Sequence, residues 1–94
     1  HVGIEENFNQ VIFDVSQNMP NPAYDETTIQ VVSDAQADVV LTLSNILGQQ
    51  IYQTTQSGAG NHTFKLNVSD FDSGLYFYTI SIGEKSVTKK MLVQ

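Results

Sequence analysis

Asp72-Ser73-Gly74-Leu75-Tyr76-Phe77-Tyr78-Thr79-Ile80-Ser81-Ile82 decides the fold class of this chain. Leu75, Phe77 and Thr79 fall on one face of an extended segment, and Tyr76, Tyr78, Ile80 and Ile82 on the other. Aromatic and β-branched residues at a period of two suit a pleated strand buried on at least one side. Gly83-Glu84 follows as a tight hairpin turn, with Gly supplying an unusual backbone angle. The chain returns through Lys85-Ser86-Val87-Thr88-Lys89-Lys90-Met91-Leu92-Val93-Gln94. A sheet that needs both arms of this hairpin makes the C-terminal stretch structural, unlike the frayed end usual for a terminus.

The same alternation recurs upstream. Residues 11–16 read as a first strand, with Val11, Phe13 and Val15 opposed to Ile12 and Asp14. In residues 26–33, Thr27, Ile29 and Val31 oppose Thr28, Gln30 and Val32, with Ile29 and Val31 facing the core. In residues 39–45, Val39, Leu41 and Leu43 point inward. Residues 50–55 carry Ile51 and Tyr52, and residues 62–68 set Phe64, Leu66 and Val68 on one face. Between these strands lie a rigid corner at Pro20-Asn21-Pro22, a polar turn at 34–38, a turn ending on Gly48 and a flexible loop at 57–61. Each proline lacks an amide donor, fixes its own backbone angle and pushes the residue before it towards extended conformations.

Strands every ten residues or so, turn chemistry between them and no helical period predict an all-β fold. The architecture is an immunoglobulin-like antiparallel β-sandwich of about seven strands. Asp72 and Gly74 make a tight corner before Tyr76, where such sandwiches hold a tyrosine corner whose phenol bonds back to the backbone. Tyr76 is then structural: its ring fills core and its hydroxyl satisfies a carbonyl.

At 94 residues the chain is one domain. Residues 11–94 form it, and the polar, acidic residues 1–10 read as a lead-in linker, with His1 a remnant of cloning. The formal charge is −6, from ten acids and four lysines, and residues 1–64 hold no Lys or Arg. Phosphate neutralisation needs a basic patch, so nucleic-acid binding is excluded on this balance. Lys85, Lys89 and Lys90 read as edge charges that discourage strand pairing between molecules. No apolar run reaches the roughly 18 residues of a membrane span. The chain has no Cys, which points away from disulfide-rich extracellular scaffolds.

Catalytic and metal chemistry find little support. Ser57, His62 and Asp70 are the members from which a triad could be assembled, but nothing in their spacing favours it. Asp70 and Asp72 offer two carboxylates where calcium needs about six or more oxygens, and a corner recruits Asp for backbone hydrogen bonds. No phosphate-binding glycine loop is present. The reading is therefore a non-enzyme with no cofactor and no metal. Asn61-His62-Thr63 and Asn67-Val68-Ser69 match the glycosylation pattern, which is short enough to arise by chance.

Several segments, in order, resemble one family. They are Gln17-Asn18-Met19-Pro20-Asn21-Pro22, Thr27-Thr28-Ile29, Asn45-Ile46-Leu47-Gly48-Gln49-Gln50-Ile51, Gly60-Asn61-His62-Thr63, Ser73-Gly74-Leu75-Tyr76-Phe77-Tyr78 and Thr88-Lys89-Lys90-Met91-Leu92-Val93. Together they are similar to the C-terminal sorting domain of type IX secretion cargo, over residues 17–94. Met19 departs from the pattern, since the family commonly has an aromatic before the first Pro.

The resemblance implies an immunoglobulin-like domain at the end of a larger exported protein that carries the activity. It implies recognition in the periplasm by the type IX translocon, passage with an outer-membrane shuttle protein, cleavage by a surface sortase, and delivery to the cell surface or the medium. Lys89, Lys90, Met91, Leu92 and Val93 are the expected recognition residues, as a strand with an exposed edge or end and local positive charge. Pro20, Asn21, Pro22, Gly48, Asp72, Gly74 and Tyr76 are the expected structural motif. Open sheet edges would permit dimers by edge pairing or by exchange of the first strand. The rival reading is a carbohydrate-binding or adhesion β-sandwich of a secreted protein.

Overall fold

Tyr76, Tyr78, Ile80 and Ile82 alternate with less buried neighbours along one nine-residue strand, and all four side chains are buried. This strand runs through the middle of the computed structural model, which describes residues 13–58 and 60–94. The strands are β1 (Phe13–Val15), β2 (Glu26–Ser33), β3 (Val39–Ser44), β4 (Gln50–Gln56), β5 (Gly60–Asn67), β6 (Gly74–Ile82) and β7 (Lys85–Val93). They form two antiparallel sheets, β1-β2-β5 and β4-β3-β6-β7. The sheets pack as an immunoglobulin-like sandwich around one apolar core.

The alternation seen in the sequence sets which side chains enter that core. Ile29 and Val31 come from β2, Val39, Leu41 and Leu43 from β3, and Phe64 and Leu66 from β5. Each side chain fully withdrawn from water contributes roughly 1.5–3 kcal/mol. Thr27 and Ser33 also point inward from β2. Ser33 Oγ accepts the Ala35 amide at 3.0 Å, so its hydroxyl is satisfied as the chain turns.

Several boundaries differ from the sequence reading. Among the described residues β1 spans Phe13–Val15, so the strand ends one residue before Ser16. Residues 1–12, which include the expected lead-in and Val11 and Ile12 of the expected strand, lie outside the described residues. The loop after β4 is shorter than 57–61, because Gly60 and Asn61 already pair with Ser33 and Val32 of β2. Val68 falls just beyond β5 but is fully buried, and its amide donates to the Asp25 carbonyl at 2.7 Å. β4 shows no clean alternation. The β3–β4 register slips between Leu43 and Ser44, leaving Ile51 as an extra residue on β4. Such a bulge re-aims the neighbouring side chains, and Ile51 and Tyr52 are both exposed.

Gly83 adopts φ 59, and no non-glycine residue among those described has positive φ. Positive φ at only the first of two central residues is the type II′ pattern, whose twist matches antiparallel strands. β6 and β7 then pair without a break, from Ile82 with Lys85 to Gly74 with Val93.

Candidate recognition surface

Residues 17–23 tie the two sheets together. Met19 exchanges backbone hydrogen bonds with Thr28 of β2, at 2.9 and 2.8 Å. Four residues on, the Ala23 amide donates to the Leu92 carbonyl at 2.7 Å, and the Gln94 amide donates to the Ala23 carbonyl at 2.9 Å. The Leu92 amide donates to Asn21 Oδ1 at 3.0 Å, and Gln17 Nε2 donates to the Lys90 carbonyl at 2.7 Å. Met19-Pro20 and Asn21-Pro22 are both cis. The corner is thus a strap along the outer edge of β7.

The strap is anchored by Asn18, which is fully buried although polar. Asn18 Nδ2 donates to the Pro20 carbonyl at 3.1 Å and to Thr27 Oγ1 at 3.0 Å. Asn18 Oδ1 accepts Gln17 Nε2 at 2.7 Å. Thr27 Oγ1 donates to the same Pro20 carbonyl at 2.9 Å. Among the described residues, no buried side-chain polar atom lacks a partner, so this network avoids the cost of an unsatisfied group.

The strap changes what the end of the chain can offer. The sequence suggests an exposed edge at residues 89–93, but the carbonyls of Lys90 and Leu92 and the amides of Leu92 and Gln94 are already bonded. Met91 and Val93 are buried and present no side chain to a partner. Lys90 and Leu92 are exposed on the outer face of the sheet. Lys89, across from buried Tyr78, occupies an inward-facing register position on an edge strand, where a charge opposes intermolecular pairing.

Exposed apolar residues gather at the same end of this sheet. Leu75 is opposite Leu92, and Ser44 is opposite Phe77. The β3–β4 turn therefore lies at the end where β7 stops. Asn45 Oδ1 accepts the amides of Leu47 and Gln49 at 2.9 and 3.0 Å, and Gly48 closes the turn with φ 83. The tip carries Ile46 and Leu47, 67% and 78% exposed. Two large apolar side chains thus stand in water on a fixed turn, at the end of the sheet where Leu75 and Leu92 are also exposed. The pair stands in the sequence as a signal, since turn tips are normally polar.

The β3, β4, β6 and β7 segments contain three lysines and no Asp or Glu. The acids lie in sheet β1-β2-β5, in the loops and in the lead-in. This apolar end thus belongs to the sheet whose strands carry no acid.

The remaining candidates have local roles. The Tyr76 hydroxyl donates to the Asp72 carbonyl at 2.7 Å, and its ring lies 5.5 Å from that of Phe71. Gly74, at φ 150, opens β6. His62 contacts Gln56 Oε1 at 3.0 Å and the Gly58 carbonyl at 2.7 Å, so its ring serves the β4–β5 connection and is not turned to Ser57 or Asp70. Among the described residues, no group of three or more His, Cys, Asp or Glu side chains could hold a metal ion.

The crystal structure of dimeric latent PorU from Porphyromonas gingivalis superposes with a TM-score of 0.68 at 16% sequence identity. The match covers 89% of this chain and 9% of that one, so the shared fold is one module of a far longer chain. No curated protein matches the sequence. Residues 18–94 match the family model described as the secretion system C-terminal sorting domain. That span takes in the strap from Asn18 on, the β3–β4 turn and the β6–β7 hairpin, and the chain belongs to this family of type IX secretion sorting domains.

Proposed function

We infer that the domain delivers its parent protein to the type IX translocon through the apolar end of the acid-free sheet. The observation that carries this reading is the exposure of Leu92 and Lys90 on a strand whose backbone edge is bonded from the Lys90 carbonyl to the Gln94 amide and whose alternate side chains, Met91 and Val93, are buried. Recognition then uses side chains, with Leu92, Lys90 and the Ile46-Leu47 tip as contacts. Met91 and Val93 hold the strand in place. Meeting the translocon requires the domain to fold in the periplasm. Passage with an outer-membrane shuttle protein and removal by a surface sortase follow, with the cut upstream of the folded domain and the parent delivered to the cell surface or the medium. The domain itself performs no catalysis in this scheme.

The test is export of a reporter fused ahead of the domain in a type IX-competent host. Leu92→Ala with Lys90→Ala is expected to leave the reporter in the periplasm while the purified domain keeps its wild-type circular dichroism spectrum and a melting temperature lowered by no more than about 8 °C. Normal surface delivery by that variant would overturn the assignment.

A further inference from the structure

The two sheets also have free edges on the side away from the strap. β5 pairs only with β2, and β4 only with β3. Between them lies a groove of about 290 Å³ lined by Leu43, Ile51, Tyr52, Lys65, Leu66 and Phe71, with Asn67 at one end. That volume lies just below the roughly 300–1,000 Å³ range of small-molecule sites, and suits one or two side chains better than a cofactor.

The β2 hydrogen bonds show which way the β5 backbone faces. Thr28 is opposite Lys65, but the Thr28 amide and carbonyl are both bonded to Met19. Gln30 is opposite Thr63, but its amide and carbonyl are bonded to Ser16. These are the non-hydrogen-bonded pairs of the ladder, so the amides and carbonyls of Thr63 and Lys65 point out of the sheet. One of these groups has a partner: Gln56 Nε2 donates to the Thr63 carbonyl at 2.8 Å, bridging the two edges at the hairpin end. Beyond that bridge the Lys65 backbone faces open space beside the groove.

We propose that the β5 edge at Lys65 binds an extended peptide segment of another protein, added as a strand, with an apolar–acidic–apolar core. Register sets that pattern. A residue paired with Lys65 shares its outward face, where the ammonium favours a carboxylate. Its two neighbours point inward over Ile51, Tyr52 and Phe71, where large apolar side chains fit. Alternate side chains supply specificity and the backbone supplies the attachment, as in other strand-addition sites. Lys65 is the sole Lys or Arg in the strands of its sheet. Only a short length of edge is open, so the complex is weak and transient. This site is separate from the Leu92 end and does not depend on that assignment.

The experiment titrates the ¹⁵N-labelled chain with acetyl-Thr-Glu-Phe-Glu-Leu-Glu-Thr-amide and with the same peptide bearing Lys at each Glu. The acidic peptide is expected to shift the amides of Thr63, Lys65 and Asn67 together with Tyr52 and Phe71, and the basic one to bind more weakly. Lys65→Glu, on an exposed side chain, is expected to reverse that order, with a change of roughly two- to fivefold for each peptide, the size of one exposed charge pair. Methylating the peptide nitrogens that face β5 is expected to abolish the shifts. Three results overturn the proposal: no shift along β5, equal binding of both peptides, or shifts confined to β7. Concentration-dependent sedimentation with β5 shifts in the absence of peptide would also overturn it, by making a second copy of this chain the occupant.

Discussion

The Asn18 amide donates to the Tyr78 hydroxyl at 3.0 Å, joining the strap to the central strand across 60 residues of sequence. The same hydroxyl donates to the Ser16 carbonyl at 2.9 Å. One buried phenol thus satisfies two backbone groups just before the proline corner. Tyr78→Phe keeps the ring but leaves both groups without a partner. The cost is about 1–3 kcal/mol, since a buried group that loses its hydrogen bond bears its desolvation penalty. Urea denaturation measures it directly, and the melting temperature falls by about 4–8 °C per kcal/mol in a domain of this size. A change below about 0.5 kcal/mol, ordinary for a surface substitution, would show that the phenol does not hold the strap.

The same residue predicts an alkaline loss of stability. Burial, opposed more weakly by the hydrogen bond from Asn18, raises the Tyr78 pKa above its ordinary 10.0. In the unfolded chain the phenol loses its proton first as pH rises, so above about pH 10 the folded state holds more protons. Stability therefore falls with rising pH in that window and is unaffected by this group below it. The wild-type urea midpoint is expected to drop more steeply above pH 10 than that of Tyr78→Phe. Parallel curves for the two proteins would refute the linkage.

The corner before β6 separates a hydrogen bond from a backbone requirement. Tyr76→Phe removes the bond to the Asp72 carbonyl and is expected to cost about 0.5–1.5 kcal/mol. Gly74→Ala meets no neighbouring atom within 4 Å, but places a Cβ on a residue at φ 150. Backbone strain of this kind costs about 1–3 kcal/mol. Gly74→Ala is therefore expected to lower the urea midpoint at least as much as Tyr76→Phe. The reverse order would mean that the corner relaxes around an alanine.

Much of this architecture was legible because it rests on short-range periodicity. The strands at Glu26–Ser33 and Gly74–Ile82 have the inward faces that their alternation implies. What was not legible is contact between distant segments. Nothing near Asn18 signals that Tyr78 and Thr27 will satisfy it, and nothing in Pro20-Asn21-Pro22 shows that the corner seals β7. For that reason the last five strand residues look like an open edge in sequence, whereas the strap bonds the Lys90 and Leu92 carbonyls and the Leu92 amide on that edge. β4 escapes alternation because the bulge at Ile51 breaks its register. Ile46 and Leu47 were visible as apolar residues in a turn, but only the fixed Asn45 turn shows that they stand in water.

Neighbouring positions in β7 carry separable demands. Met91 is fully buried opposite Tyr76, and Leu92 is 37% exposed opposite Leu75. Met91→Ala leaves a cavity and is expected to cost about 2–5 kcal/mol. Leu92→Ala removes a partly solvated side chain and is expected to cost less than about 1 kcal/mol, being a change outside the core. Deleting residues 89–94 removes both kinds of residue and the strap's partners, so loss of export by that truncation cannot distinguish unfolding from lost recognition. The two point substitutions can. Export of the Met91→Ala fusion should recover at lower temperature, where its folded fraction is restored. Export of the Leu92→Ala fusion should stay impaired at every temperature at which the domain is folded. If the two fusions recover together, β7 contributes to sorting only through the stability of the fold, and the recognition surface lies elsewhere.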